Sequence, residues 1–146
     1  MFNFLYYYFF YNIETEKELE TLYNLSLFKH PNGKFYINGF WHKQNIKQNI
    51  LNIKKVNTFN FGSINPILLQ LSKLWHSNNE KDEYFWKNEW TKYGKNVQKD
   101  MDELQYFTNS ICLFHEAVKL GLPDKYYNSK TNKCLIPLDK NLKFFN

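Results

Sequence analysis

Cys112 and His115 stand three residues apart in the stretch SICLFHEAVKL, and Cys134 follows 19 residues later. A C-x-x-H spacing places a thiolate and an imidazole on one helix face, a pairing that can ligate zinc. A structural zinc site takes four ligands, however, and the rest would have to come from His30, His42 or His76, all remote in the chain. His115 also flanks an apolar stripe, where a hydrogen-bonded core histidine serves equally well, so no metal is expected. His115-Glu116 resembles half of a metalloprotease helix, but that motif needs a second histidine four residues after the first, and the residue there is Lys119. Cys112 as a nucleophile would need a positioned base and a lowered pKa, and only His115 is near it in sequence. The five glycines stand singly, so no phosphate-cradling loop is present. These residues imply no catalytic residue, no cofactor and no enzymatic activity. With only two cysteines there is no secreted-type disulfide framework. Cys112 and Cys134 are either two buried thiols or one pair closed by a C-terminal segment that folds back.

A second chemistry is nucleic-acid contact. Lys43, Lys47, Lys54 and Lys55 share one expected helix beside Trp41 and His42, a candidate basic face that could meet phosphates and stack bases. Against it, the net charge is a mild +5, and all 19 basic residues are lysine. Arginine, the usual donor for bidentate phosphate and base-edge contacts, is missing altogether.

The elements that must position these groups begin with MFNFLYYYFFY, in which eight of eleven residues are aromatic and none is charged. Eleven residues make a helix of about 16 Å, half of what a bilayer requires. Glu14, Glu16, Glu18 and Glu20 follow at once, and no positive n-region or small-residue cleavage site marks a signal peptide. Left in water, such a strip invites aggregation. Phe2, Phe4, Leu5, Tyr6, Tyr7, Tyr8, Phe9, Phe10 and Tyr11 are therefore expected to dock on a partner or a membrane edge, the alternative being the chain's own core. Thr15 and Glu18 form a capping box ahead of a helix expected near 15–28, with Leu19, Leu22, Tyr23 and Leu27 at helical spacing. Asn38-Gly39 between aromatic runs signals a short hairpin near 34–41. Ile46, Ile50, Ile53 and Val56 suggest a helix near 43–56, and Ser63 caps another that runs to Trp75. From Trp86 to Val118, apolar residues recur every three or four positions without losing phase at Gly94. One long helix over about 80–120 is expected, closed by Gly121 at a left-handed cap with Pro123 just beyond.

The fold class expected is thus mainly α. An aromatic docking segment (1–12) precedes a small helical domain (13–122) and an irregular C-terminal tail (123–146), in which 133–138 forms a short extended stretch. Phe, Tyr, Met, Ile, Asn and Lys make up 75 of the 146 residues, whereas Gly, Ala, Arg and Pro make up 10. That imbalance follows AT-rich codons and resembles the style of proteins encoded in AT-rich mitochondrial genomes. An import presequence rich in Arg and Ser is not seen. The function expected is a non-catalytic accessory subunit of a respiratory-chain assembly, peripheral to the mitochondrial inner membrane and organelle-encoded. Its partners would be neighbouring protein subunits and, peripherally, the membrane surface, with no transmembrane helix. The alternative is a mitochondrial ribosomal protein that binds rRNA through its lysine-rich faces.

Overall fold

The computed structural model describes residues 20–43, 59–77, 79–94, 97 and 101–145. Four strands form one antiparallel sheet: β1 (Tyr23–Lys29), β2 (Phe35–His42), β3 (Tyr127–Asn128) and β4 (Lys133–Leu138), in the order β2-β1-β4-β3. Between β2 and β3 the chain runs through a 3-10 helix (Phe61–Ile67), α1 (Leu68–Leu74), α2 (Asp82–Lys92), α3 (Glu103–Lys119) and the single turn α4 (Leu122–Lys125). The mainly α expectation is therefore corrected to a sheet packed with helices.

The helix expected near 15–28 gives way to β1 from Tyr23 onward, and Thr15 and Glu18 lie outside the described residues. Leu22, Tyr23 and Leu27 do sit at helical spacing, but Tyr23, Leu25 and Leu27 also alternate with period two. Alternation wins because β1 lies between β2 and β4 and both of its edges are paired. Tyr23, Leu25 and Leu27 enter the core, while Asn24 and Ser26, on the alternate positions, are also buried. The hairpin turn is not Asn38-Gly39. It lies at His30–Lys34, where Gly33 takes φ +87° and the Lys34 carbonyl accepts from the His30 N–H at 2.8 Å. Asn38-Gly39 instead forms a β-bulge inside β2: Ser26 pairs with Gly39 and Leu27 with Ile37, so Asn38 is the extra residue.

The long helix over 80–120 is broken. α2 ends at Lys92 and α3 starts at Glu103, behind a capping box of Asp102 and Gln105. In one straight helix Trp90 and Tyr106 would lie about 24 Å apart along the axis, yet their ring centroids are 5.8 Å apart. The chain folds back between α2 and α3, and the apolar phase continues because both helices face one core. Gly121, at φ +70°, closes α3 as the sequence implies. The helix after residue 60 starts as a 3-10 turn capped by Asn60 rather than Ser63. The tail read as irregular carries α4, β3 and β4, and β4 occupies the stretch 133–138 and pairs with the central strand. The helix expected near 43–56 falls outside the described residues, apart from Lys43. No helix among the described residues is long and apolar enough to cross a membrane.

The core is aromatic. Trp75, Trp86, Phe40, Tyr106 and Phe107 are all but fully buried. Tyr106 donates its hydroxyl proton to the Phe40 carbonyl at 2.9 Å and stacks on the Phe40 ring, which ties α3 to β2. A Cβ at Gly94 would stand 2.7 Å from the Trp90 ring and 2.8 Å from the Tyr106 ring, both packed in the interior. Gly94→Ala should therefore cost about 1–3 kcal/mol, read as a lowered urea midpoint. Gly62→Ala, whose nearest contact is the Asn60 side chain at 3.2 Å, should stay within about 1 kcal/mol of wild type. Equal losses in the two variants would rule out the close approach at Gly94 as the cause.

Candidate active site

A side-chain pair joins β2 and α2. The Trp41 indole Nε1–H donates to Glu89 Oε2 at 2.9 Å, across 48 residues of sequence. Trp41 reaches the helix because its indole folds over Gly39: a Cβ there would lie 2.3 Å from the ring. Only glycine leaves that space, so the bulge and the glycine together aim the tryptophan. Tyr93 packs against the indole at a tilt, with ring centroids 5.3 Å apart.

Glu89 shares the buried face of α2 with Trp86 and Trp90 and is itself 8% exposed. Burial disfavours its charged form and raises its pKa to about 7. The Trp41 donor and Lys92 pull the value back down, and Glu80 adds a little to the rise. The phenol of Tyr93 is held above its ordinary range by burial and then by the Glu89 charge. His42, at the end of β2, is lowered by burial and meets Tyr23 edge-on.

One helical turn before Glu89 and three residues before Trp41, the same two elements line a cleft of about 530 Å³. Phe85 comes from α2, Asn38 from the bulge of β2, Phe28 and Lys29 from β1, Lys133 from β4 and His76 from the segment after α1. Asn38 is fixed by donating to Ser26 Oγ at 3.0 Å. The Lys29 ammonium sits 5.5 Å from the Phe35 centroid and 5.0 Å from that of Tyr127. Lys133 is the cross-strand partner of Phe28, so its side chain leaves the sheet on the face of Phe28 and opposite that of Lys29. Glu80 is the carboxylate on the rim.

Of the residues singled out in the sequence, Phe2, Phe4, Leu5, Tyr6, Tyr7, Tyr8, Phe9, Phe10, Tyr11, Lys47, Lys54 and Lys55 lie outside the described residues. Lys43 directly follows β2, and its N–H donates to the Leu22 carbonyl at 2.7 Å. Cys112 is an exposed free thiol and Cys134 a buried one that donates to the Pro123 carbonyl, so the two do not pair. Burial pushes the Cys134 thiol up to about 11. His115 is exposed and packs against Phe114. Glu89, Trp41, Asn38, Phe85 and His76 were not picked out as a site. One signal was available for Glu89: it stands in phase with Trp86, Trp90 and Tyr93, a carboxylate on the apolar stripe of its own helix.

The model of the ribonuclease T2 family matches residues 2–131, and the chain belongs to that family. No curated protein matches it in sequence. Among solved structures it is similar to a crystal structure of a mutant of RNase MC1 in complex with 5′-GMP, with a TM-score of 0.61 and 15% identity over 85% of this chain and 91% of that one. A crystal structure of an RNase MC1 mutant gives a TM-score of 0.58 and 14% identity over 85% and 92%. The fold is thus shared. Membership overturns the expectation of a chain without enzymatic activity, and with it the respiratory-chain subunit, its neighbouring-subunit partners and the ribosomal alternative. The composition reported codon usage, which carries no information on a site.

Glu89 makes the fold sensitive to pH in a calculable direction. Its pKa is higher folded than unfolded, so its contribution is fully present below the ordinary carboxylate value and is lost as pH rises to about 7. Glu89→Gln keeps an acceptor for Trp41 and cannot ionise. The variant should match wild type near pH 4.5 and exceed it at pH 8 by up to about 3 kcal/mol, measured by urea unfolding at both values. A difference unchanged between the two would show that Glu89 does not titrate there.

Proposed function

We propose that this member of the ribonuclease T2 family binds single-stranded RNA in the cleft between β1, β2, β4 and the start of α2, and cleaves it there. The observation that carries the reading is the composition of that cleft. Phe28 and Phe85 offer ring faces to bases, Lys133 offers an ammonium group to phosphates, and Asn38 offers an amide for hydrogen bonding. Ring faces with a charged track are how single strands are held, since every base has a π-face and every phosphate a charge. The family supports RNA as the polymer.

Cleavage of RNA can use the substrate's own 2′-hydroxyl. Its oxygen bonds to the adjacent phosphorus, the bond from phosphorus to the 5′-oxygen breaks, a base removes the 2′ proton and a proton is delivered to the leaving oxygen. Lys133 opposes the charge that builds on the phosphoryl oxygens. The groups at the seam of β2 and α2 differ sharply in what they can do with protons. Asn38 and Trp41 exchange none near neutral pH, and the Tyr93 phenol is held high. Glu89 is present in both protonation states near pH 7.

The chain should degrade single-stranded RNA and leave DNA of the same sequence intact. Lys133→Ala should weaken binding of a 2′-O-methyl RNA oligonucleotide, which is resistant to this reaction, and flatten its salt dependence by about 1 in the log–log slope. Phe85→Ala should cost about 1–3 kcal/mol of binding. Binding without cleavage of ordinary RNA would overturn the catalytic part of this reading, and a salt slope unmoved by the lysine variant would overturn the location.

A further inference from the structure

A second groove, of about 520 Å³, lies between α1 and the start of α2. Leu68 and Ser72 line it from α1, Trp86 lines it from α2, and Glu80, Asp82 and Glu83 border it where α2 begins. We propose that this groove docks a partner protein through a segment that sets lysine or arginine beside an apolar anchor. The surface is distinct from the RNA cleft apart from Glu80, which borders both.

Among the described residues six large apolar side chains are left exposed, and three of them, Leu68, Leu69 and Tyr84, belong to these two helices. α1 reaches the core through the fully buried Leu71, so its packing does not call on Leu69, which is 69% exposed. Tyr84 is 60% exposed, two residues before the buried Trp86. The Ser72 hydroxyl is already engaged, donating to the Leu68 carbonyl of its own helix at 2.8 Å. Apolar groups clustered in this way on a surface favour contact with another molecule.

The charge around the groove selects the occupant. The chain as a whole carries +5, yet three carboxylates and a single lysine, Lys81, border this groove. Asp82 is engaged within the chain: it accepts from the Ser77 N–H at 3.2 Å and lies 3.6 Å from His76 Nδ1. Asp82 and Glu83 also stand in the first turn of α2, where the helix dipole favours them. Glu80 has no such role. It precedes the helix, and its backbone N–H donates to Ser77 Oγ at 3.2 Å, which pins the residue at the rim. Among the described residues the carboxylates of Glu80 and Glu83 make no hydrogen bond or ion pair. Such a rim repels an RNA backbone, whereas an ammonium or guanidinium group beside an apolar anchor meets both features of the groove. Amphipathic segments that dock in grooves between helices use the same combination.

The test uses two short dye-labelled peptides with leucines at helical spacing and either lysine or glutamate between them. Fluorescence anisotropy follows their binding to the full chain. The lysine peptide should bind at least about tenfold tighter than the glutamate peptide, and the preference should shrink in high salt. Leu69→Ser should weaken the lysine peptide by at least about tenfold, and the double variant Glu80→Gln with Glu83→Gln by about fivefold. These residues are exposed, so each variant should keep native circular dichroism. Leu120→Ser removes an exposed leucine just past α3 and should leave the affinity unchanged. Equal binding of the two peptides would overturn the proposal, as would wild-type affinity in Leu69→Ser or in the double variant. So would an equal loss in Leu120→Ser. Leu69→Ser should also bind the 2′-O-methyl RNA as wild type does, and a parallel loss would make the groove part of the RNA track and overturn the proposal too. A wild type that binds the lysine peptide but not RNA would uphold the docking site and overturn the ribonuclease reading alone.

Discussion

The fold turns on the buried hydroxyl of Tyr106. Its proton goes to the Phe40 carbonyl, and a hydroxyl buried without that partner would cost about 1–3 kcal/mol. Around it the ring meets Phe40, Trp75, Trp90 and Phe107. One side chain of α3 therefore sets where β2, the end of α1 and α2 stand relative to one another. Gly94 is part of the same arrangement, since any side chain there would push on both Trp90 and Tyr106. Phe40 lies between Gly39 and Trp41, so fixing its carbonyl also fixes the bulge and the tryptophan that reaches Glu89.

The candidate site draws on that rigidity. Burying a carboxyl opposes folding whenever it is ionised, and Glu89 is buried on a helix whose other inward residues are tryptophans. Trp75 Nε1 is a second unfavourable group nearby, buried without a partner among the described residues. An aromatic core with many ring contacts can offset a few such groups. What the chain obtains in return is a carboxyl whose protonation changes near neutral pH, a property water-exposed glutamates lack.

Much of the local structure was legible in the sequence, and the architecture was not. The apolar stripe from Trp86 to Val118, the cap at Gly121 and the extended stretch 133–138 all correspond to real elements. The stripe could not reveal its own interruption. Helical phase records only which face is buried, and α2 and α3 bury theirs in one core from both sides of a reversal. Tyr23 to Leu27 satisfied both a helical and a strand pattern, and the decision lay with β4, more than a hundred residues away. Asn38-Gly39 carried a turn signal because a bulge and a turn make the same demand on the backbone. The site was harder still. Trp41 and Glu89 are 48 residues apart, Phe28 and Lys133 meet only across a strand pair, and His76 stood among candidate zinc ligands. Only Glu89, a carboxylate in phase with tryptophans, broke a local rule visibly enough to be noticed.

The cleft itself shows why these residues converge. Lys133 and Phe28 are cross-strand partners, so a lysine and a ring leave the sheet side by side on one face. Lys29, the next residue after Phe28, turns to the other face, where it leans on the rings of Phe35 and Tyr127. Strand alternation thus divides the two lysines, one held by rings and one left exposed at the cleft. A lone ammonium group would suit any anion. Set beside Phe28, Phe85 and the amide of Asn38, it suits a ligand that carries rings as well as charge.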